Sequence, residues 1–505
     1  MKKLLIFLGI TLCLFAISCD QGFDELNTNP TAATTVDPAF LLNNAVINSS
    51  HVATTLQYDM SIVQQTVTPN SGVLTGANFN QDNRDYTQQN WNRYFPNVIR
   101  NTKTAINLAT DKPARSNLVQ MARIWQAHGF MVLTDSYGDI PYSEAGVGFI
   151  DGVTSPKYDA QEAIYKDIIK ELTAASAALD ASKPKEGADI LYQGDVAKWK
   201  KLGYSLLLRA GMRLSKVDPA LAQATVKAAF AGGVMDSNAD NAVVRHNANY
   251  QNSIGSILNG TEANNYYLAG PFVNYLKSNN DPRLGAIAVR YVAAASGPQQ
   301  NAANAKTDPS LQLGMPFGFD NSGIVGQATK DGLASFYAYS QIDRTRLGKQ
   351  QAPMFLVTHG MNQLLLAEAA QRGWITGSAA DYFKAGIRAH MEQMALYDAA
   401  SAIPKAAIDT YIAANPLDPS KALEQINTQY WVASFLNGPE SFANWRRSGF
   451  PKLTPNPFPG KDIKGNFINR LTYPNSEISV NSANVQAAIS RMGADNLDTK
   501  VWWDK

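Results

Sequence analysis

The 505-residue chain has few of the groups on which common protein chemistries depend: two cysteines, five histidines, and a charge balance of 44 Lys and Arg against 42 Asp and Glu. Cys13 and Cys19 both stand at the extreme N-terminus, so the body of the chain can form neither a disulfide nor a thiolate metal site. A formal net charge of +2 argues against binding nucleic acid by phosphate neutralisation. His51, His128, His246, His359 and His390 are scattered without an HExxH pair. Neither a GxSxG elbow nor a GxxxxGK[ST] phosphate loop occurs. Beyond residue 17 no apolar run reaches the length of a membrane span.

The apolar run that does exist is short and ends abruptly. Lys2 and Lys3 precede the stretch 4–17, and Ala16, Ile17 and Ser18 lead into Cys19, after which the chain reads "DQGFDELNTNPT". A charged start and a short apolar core without a cationic stop form a secretory signal. A small residue just before Cys at the end of that core resembles the lipobox of bacterial lipoproteins. In that reading 1–18 is removed and Cys19 becomes the acylated first residue, with 19–36 as a polar tether; the alternative is a plain secretory signal that happens to end in Cys. Each acyl methylene buried in a bilayer contributes about 0.8 kcal/mol, so several chains on one residue hold a soluble body firmly.

The body, 37–505, reads as mainly helical. Asp37 is a candidate N-cap with Pro38 at the first helical position. Further helices are expected at 88–110, 115–134, 159–182, 195–215, 218–231, 353–374, 378–398, 405–414, 420–436 and 438–446. In "YDAQEAIYKDIIKELTAASAAL" the residues Ile164, Ile168, Leu172 and Ala175 form one apolar stripe, as a buried helix face requires. Short turns join several helices, as in "LLLAEAAQRGWITGSAADYFKAGIRAHM", which resembles tetratricopeptide-type pairs without a strict repeat. The scaffold is expected at 37–234 and 353–450, followed by a C-terminal segment, 451–505.

Between 235 and 352 helical periodicity fades and Gly, Asn, Ser and aromatic residues take over; 69–87 has the same character. Long irregular segments in a helical protein often carry function. Two clusters invite chemistry. "DSNADN" at 236–241 alternates oxygen ligands like a calcium loop, but lacks the turn glycine and has Asn247 where the bidentate Glu belongs. Asp135, Asp139 and Glu144 in "TDSYGDIPYSEA" invite a glycosidase reading, against which Asp residues in a Gly/Pro turn bond local backbone amides.

A resemblance spans most of the chain. "MARIWQAHGFMVLTDSYGDIPYSEA" at 121–145 is similar to a segment of SusD/RagB-family lipoproteins of Bacteroidota, in the branch with a D-x-Y-G-D-[IV]-P-Y-[ST] turn. "LYQGDVAKWKKLGYSLLLRAGMRLS" at 191–215, "NDPRL" at 280–284, "INTQYWVASFLNGPESFANWRRSGFP" at 426–451, "RLTYPNSEISVN" at 470–481 and "TKVWWDK" at the end follow in the family's order. His359 stands where an acidic residue is expected before "LLLAEA". The resemblance implies tetratricopeptide-like helix pairs with an irregular second part, and a non-catalytic lipoprotein on the outer face of the outer membrane. It also implies that the protein caps a SusC-like TonB-dependent transporter and holds oligosaccharides, or in some members peptides, for import, without a cofactor. A non-catalytic scaffold binding other proteins and a surface glycoside hydrolase are the other readings.

Trp125, Trp199, Trp445, Arg446, Arg447, Trp502 and Trp503 lie in the recurrent segments, where core packing is their ordinary role. Sugar recognition needs flat apolar faces flanked by amides, carboxylates or guanidinium groups, and three irregular loops offer that mixture. The candidate ligand residues are Phe79, Asn80, Asp82 and Arg84 in the first, Tyr250, Asn265, Tyr266 and Tyr267 in the second, and Phe317 and Tyr337 in the third. The aromatic, amide-rich loops favour glycan over peptide. Tyr266 and Tyr267 are adjacent, so in extended backbone they point to opposite sides, one expected toward ligand.

Anchoring through Cys19 is directly testable. Cys19→Ala is expected to leave the protein in the soluble fraction or with its signal uncleaved, read by fractionation and mass spectrometry of the N-terminus. Normal surface display of that variant would show that the cysteine is not the anchor.

Overall fold

The computed structural model describes residues 36–50, 52 and 54–505. Cys19, the segment 1–18 and most of the tether 19–36 lie outside the described residues. From Pro38 to Lys505 the chain forms one compact unit. Its long helices are α1 Pro38–Asn48, α2 Arg100–Ala109, α3 Ser116–Tyr137, α4 Gln161–Ala178, α5 Val196–Arg213, α6 Pro219–Gly232, α7 His359–Gln371, α8 Ala379–Tyr397, α9 Lys405–Ala414, α10 Ala422–Ala433 and α11 Gly438–Ser448. Consecutive helices pack side by side, α2 on α3, α3 on α4, α4 on α5 and α5 on α6, and again α7 on α8. That is the helix-pair scaffold expected from the sequence.

Local chemistry explains the boundaries. Asp195, Asp218, Thr358 and Ser378 cap α5, α6, α7 and α8 through their side-chain oxygens. In α4 the expected stripe of Ile164, Ile168, Leu172 and Ala175 is buried. Two glycines let α7 and α8 approach closely: a Cβ added at Gly386 would stand 2.7 Å from Leu364 and 3.1 Å from the Gly360 carbonyl.

Three expectations need correction. The first is a refinement: the helix expected at 88–110 is one helical run from Gln89 to Ala109, with a π-helical turn at Phe95–Ile99 leading into α2. Pro96 has no amide hydrogen to give the ladder, which reorganises around it. The expected helix 353–374 begins six residues late: Met354–Val357 is a strand paired antiparallel with Ala242–Val244. A run of four buried apolar residues has no period that separates strand from helix. Finally, the C-terminal segment carries two helices, Asn475–Val480 and Ser482–Met492.

The part 235–352 is built from four short helices, Ser253–Leu258, Gly270–Ser278, Arg283–Ile287 and Gly323–Lys330, and from small sheets. Thr66–Val67 pairs with Tyr267–Leu268, and Ala288–Tyr291 lies between Ala305–Lys306 and Gln341–Ile342. Tyr267 and its neighbours form a second apolar cluster, with Val67, Met315, Ile324 and Tyr339, apart from the main core.

One buried acid gives a pH-dependent term. Asp59 is fully buried beside Gly438 of α11, accepts a 3.1 Å hydrogen bond from Thr55, and has its other oxygen unbonded. Burial pushes its carboxyl up to about 7, against the opposing pull of the Thr55 hydroxyl and Arg446. A raised folded-state pKa means that the contribution is complete below about pH 4 and gone once pH passes about 7. Its full size is on the order of 4 kcal/mol. Asp59→Asn cannot ionise, so its Tm relative to the parent is expected to rise between pH 4.5 and 8. A difference that stays constant across that range would show that Asp59 titrates normally.

Candidate functional site

The three loops meet. The first is fixed to the body by Tyr58, whose hydroxyl donates to the Gln81 carbonyl and accepts from the Asn83 amide, both at 2.7 Å. Asn78 bonds the Gly76 amide and the Thr68 carbonyl, closing the turn between them. The second loop joins the first through the Thr66–Val67 pairing and through Tyr266, whose hydroxyl donates to Gln57 at 2.9 Å. Gln57 also packs against Gly76, within the first loop. The third is brought alongside by Leu268, whose amide bonds Ser340 and whose carbonyl accepts from Met315. The segment 454–462 completes the arrangement: Gln64 donates to the Thr454 carbonyl, Asn456 to the Asn78 carbonyl, and Pro457 packs on Gly318.

A polar groove of about 460 Å3 opens where the first loop meets the C-terminal segment, lined by Thr75, Gln81, Asp82, Asn83, Arg84, Asp85, Asp462 and Asn475. Asp82 accepts from Thr472 at 2.7 Å, while its backbone amide donates to Asp462 at 2.8 Å. Burial raises the Asp82 carboxyl above the usual range, against the pull of Thr472 and Arg84. Arg84 donates at 2.9 Å to both the Tyr473 carbonyl and Asp495, and lies 3.4 Å from Asp82. Both expected residues therefore line one groove while bracing the C-terminal segment. Asn80 lies beside them with its carbonyl accepting from the Asp462 amide.

The aromatic expectations fare differently. Phe79 is 1% exposed, its ring 4.2 Å from Phe458, so it is a core contact and offers no stacking face. Tyr266 and Tyr267 do point to opposite sides, but both sides are protein. Tyr266, 3% exposed, joins the main core, and Tyr267, 0% exposed, joins the second cluster. The expectation that one of the pair faces ligand is corrected by that burial: the short sheet carries packed side chains on both faces. Tyr250 packs against the body, with its hydroxyl bonded to the Ile47 carbonyl at 2.6 Å and its ring stacked on His246. Asn265 is half-buried and donates to Glu262 at 2.7 Å. Phe317 and Tyr337 keep part of their surface in water.

Sequence reasoning missed a second concavity, of about 640 Å3, lined by Tyr291, Gln300, Asn301 and Arg344 among others. The β-branched and aromatic residues of "AVRY" in strand Ala288–Tyr291 were a legible signal inside a stretch otherwise read as irregular. The clusters that invited other chemistry are otherwise engaged. Asp236 and Asp240 of the calcium-like stretch both pair with Lys201, at 2.8 and 3.0 Å. Asp135 binds Arg213 and Trp503, Asp139 binds Arg491 and the Gln161 amide, and Glu144 accepts from the Lys157 amide. His359 donates to the Met235 carbonyl at 3.1 Å, so no acid is needed at that position.

A family model described as SusD-like, "Starch-binding associating with outer membrane", matches residues 29–474. The chain belongs to the SusD-like family. Among solved structures it is similar to a chitin-binding protein, at 33% identity and a TM-score of 0.82, covering 93% of this chain and 100% of that one. A Bacteroidetes SusD-like protein is similar at 27% identity and TM-score 0.80, over 93% and 100% of the two chains. A SusD homologue from Bacteroides uniformis has the same fold at 24% identity and TM-score 0.77, with the same coverage. No curated protein matches the chain. Among the described residues no helix is long and apolar enough to cross a membrane.

Burial of both tyrosines yields a symmetric expectation. Tyr266→Ala and Tyr267→Ala should each lower stability by about 3–5 kcal/mol, as truncation of a buried aromatic ring does, measured by denaturant unfolding. If either variant keeps the parent's stability, that ring is not packed as described.

Proposed function

We propose that this SusD-like chain is a lipid-anchored protein of the outer membrane, facing the cell exterior, that binds oligosaccharides and delivers them to a SusC-like TonB-dependent transporter. The observation that carries the reading is the groove where the first irregular loop meets the C-terminal segment, lined by side-chain amides, carboxylates and a guanidinium group. Hydroxyl-rich ligands need that density of short polar groups, and a site built from fixed turns presents them without a large ordering cost. Family membership supports glycan as the ligand class, and the chitin-binding protein at 33% identity makes chitin-type oligosaccharides the first ones to try. Within the groove, Asp85 and Asn475 are exposed and free to meet ligand, whereas Asp82 and Arg84 double as braces.

Two measurements test the reading. Calorimetric titration with triacetylchitotriose, maltotriose and a peptide mixture is expected to show saturable binding of a glycan. Asp85→Ala combined with Asn475→Ala should then weaken it about tenfold, 1.4 kcal/mol, without moving Tm. Binding of peptides alone would place the chain with peptide-binding members instead. Purification from outer membranes in mild detergent should recover a TonB-dependent transporter in near-equal amount, and recovery of the chain alone in several detergents would overturn the delivery role.

A further inference from the structure

A groove of about 460 Å3 lies on one face of the two-stranded sheet that Ala242–Val244 forms with Met354–Val357. Side chains alternate across a strand, so Val243 and Arg245 share a face, as do Pro353 and Phe355 on the partner strand. Val243 stands opposite Phe355, and the same antiparallel register carries Arg245 opposite Pro353. All four line the groove, and Leu396, in the last turn of α8, lines it too. This groove shares no lining residue with the polar one at the first loop.

What a ligand can reach there is of two kinds. Leu396 is 52% exposed and Pro353 is half-buried, which leaves apolar surface open to solvent, while Val243 and Phe355 are buried. Arg245 is exposed, and among the described residues it has neither a hydrogen bond nor an ion pair. The acids on the neighbouring segments are engaged elsewhere: Asp236 and Asp240 hold Lys201, and Asp398 holds Lys349. Glu392, one turn before Leu396, is outside the lining, and among the described residues no carboxylate lines the groove.

Apolar surface beside an unpaired guanidinium selects a ligand that carries both an apolar group and an anion. A carboxylate matches the Arg245 fork through two parallel N–H···O bonds, and low-polarity surroundings strengthen that attraction relative to open water. Covering Leu396 removes apolar area from water at the same time. Asn238 adds a third feature. It is half-buried in the lining, and its Nδ2 is spent on the Ala389 carbonyl at 2.8 Å. Its Oδ1 has only a long 3.5 Å contact from Asn241, so it keeps capacity to accept an N–H.

We propose that this groove captures the C-terminal residue of a peptide, with its α-carboxylate on Arg245, its apolar side chain against Leu396 and Pro353, and its amide N–H donated to Asn238. An anion, an apolar branch and an N–H donor occur together within one such residue, whereas a neutral sugar carries neither the charge nor the branch. The volume lies within the range of small-ligand sites, roughly 300–1,000 Å3. The site is additional to the polar groove and does not depend on the glycan reading.

The probe is acetyl-glycyl-leucine, titrated at millimolar concentration into the full chain and followed by NMR, beside its C-terminal amide and isocaproate. The free acid is expected to bind saturably. Its amide, and the free acid with Arg245→Gln or Leu396→Asp, should each bind about tenfold more weakly, the worth of one charge-assisted contact. Both positions are exposed, so both variants should keep the parent Tm. No saturable binding of the free acid overturns the site and leaves the glycan reading intact, because that rests on a different groove. Equal binding of the amide, or parental affinity in Arg245→Gln, overturns the carboxylate assignment. Parental affinity in Leu396→Asp overturns the apolar contact. Isocaproate is an apolar carboxylate without an N–H, and binding as tight as that of the free acid overturns the peptide assignment.

Discussion

Arg213 is the residue around which the helical body is assembled. It is completely buried, with Asp135 of α3 at 3.2 Å and Glu440 of α11 at 2.8 Å. Glu440 also lies 3.4 Å from Arg209 and accepts from Tyr430 at 2.7 Å, while Asp135 accepts from Trp503 at 2.9 Å. Burial pushes the Glu440 carboxyl up, but Arg209 and Arg213 outweigh it and hold the group below its usual range. Removing one partner from such a set leaves an uncompensated charge in the interior and costs about 3–5 kcal/mol. The arrangement exists only when α3, α5, α10, α11 and the last residues of the chain are all in place, so the C-terminus is part of the scaffold and not an appendage to it. Arg446 strengthens that closure by donating to the Asp135 and Asn469 carbonyls and lying over the Trp503 ring.

The same constraint explains why the recurrent aromatic and arginine segments could be read as structural from the sequence. Trp125 and Trp199 are buried and bond Ser49 and Asp189, and Arg447 pairs with Glu368 at 2.7 Å in full burial. Residues of that kind are legible because their environments are helical and their spacing is regular. Caps and apolar stripes placed α4, α5, α6, α8 and α9 within a few residues. The error fell where periodicity carries no information, at Met354–Val357, where a buried apolar run pairs with a strand more than a hundred residues earlier; at Pro96 the expected helix continues through a π-helical turn.

The candidate site was legible as composition but not as geometry. Amide- and aromatic-rich composition singled out three loops, and of their residues Asp82 and Arg84 line a groove. The alternation that sent Tyr266 and Tyr267 to opposite sides was also correct. Sequence could not tell that the irregular part has a core of its own, with Met315, Ile324 and Tyr339 covering the far face of that strand. A second core turns what looks like a displayed aromatic into a buried one, and it moves the search for contact surface to groups that the packing leaves over.

Those left-over groups follow a pattern set by backbone accounting. Irregular chain inside a compact body must find partners for amides and carbonyls that no helix satisfies, and here side chains supply them. Asn252 caps a short helix and bonds the Ala352 carbonyl, Asn259 bonds two carbonyls, Arg290 takes the Ala338 and Leu311 carbonyls, and Gln341 takes those of Ala263 and Tyr266. The cap uses the Asn252 oxygen as acceptor and the other bonds use side-chain N–H donors, so acceptor and donor groups alike are committed to closing loop backbone that no helix or sheet satisfies.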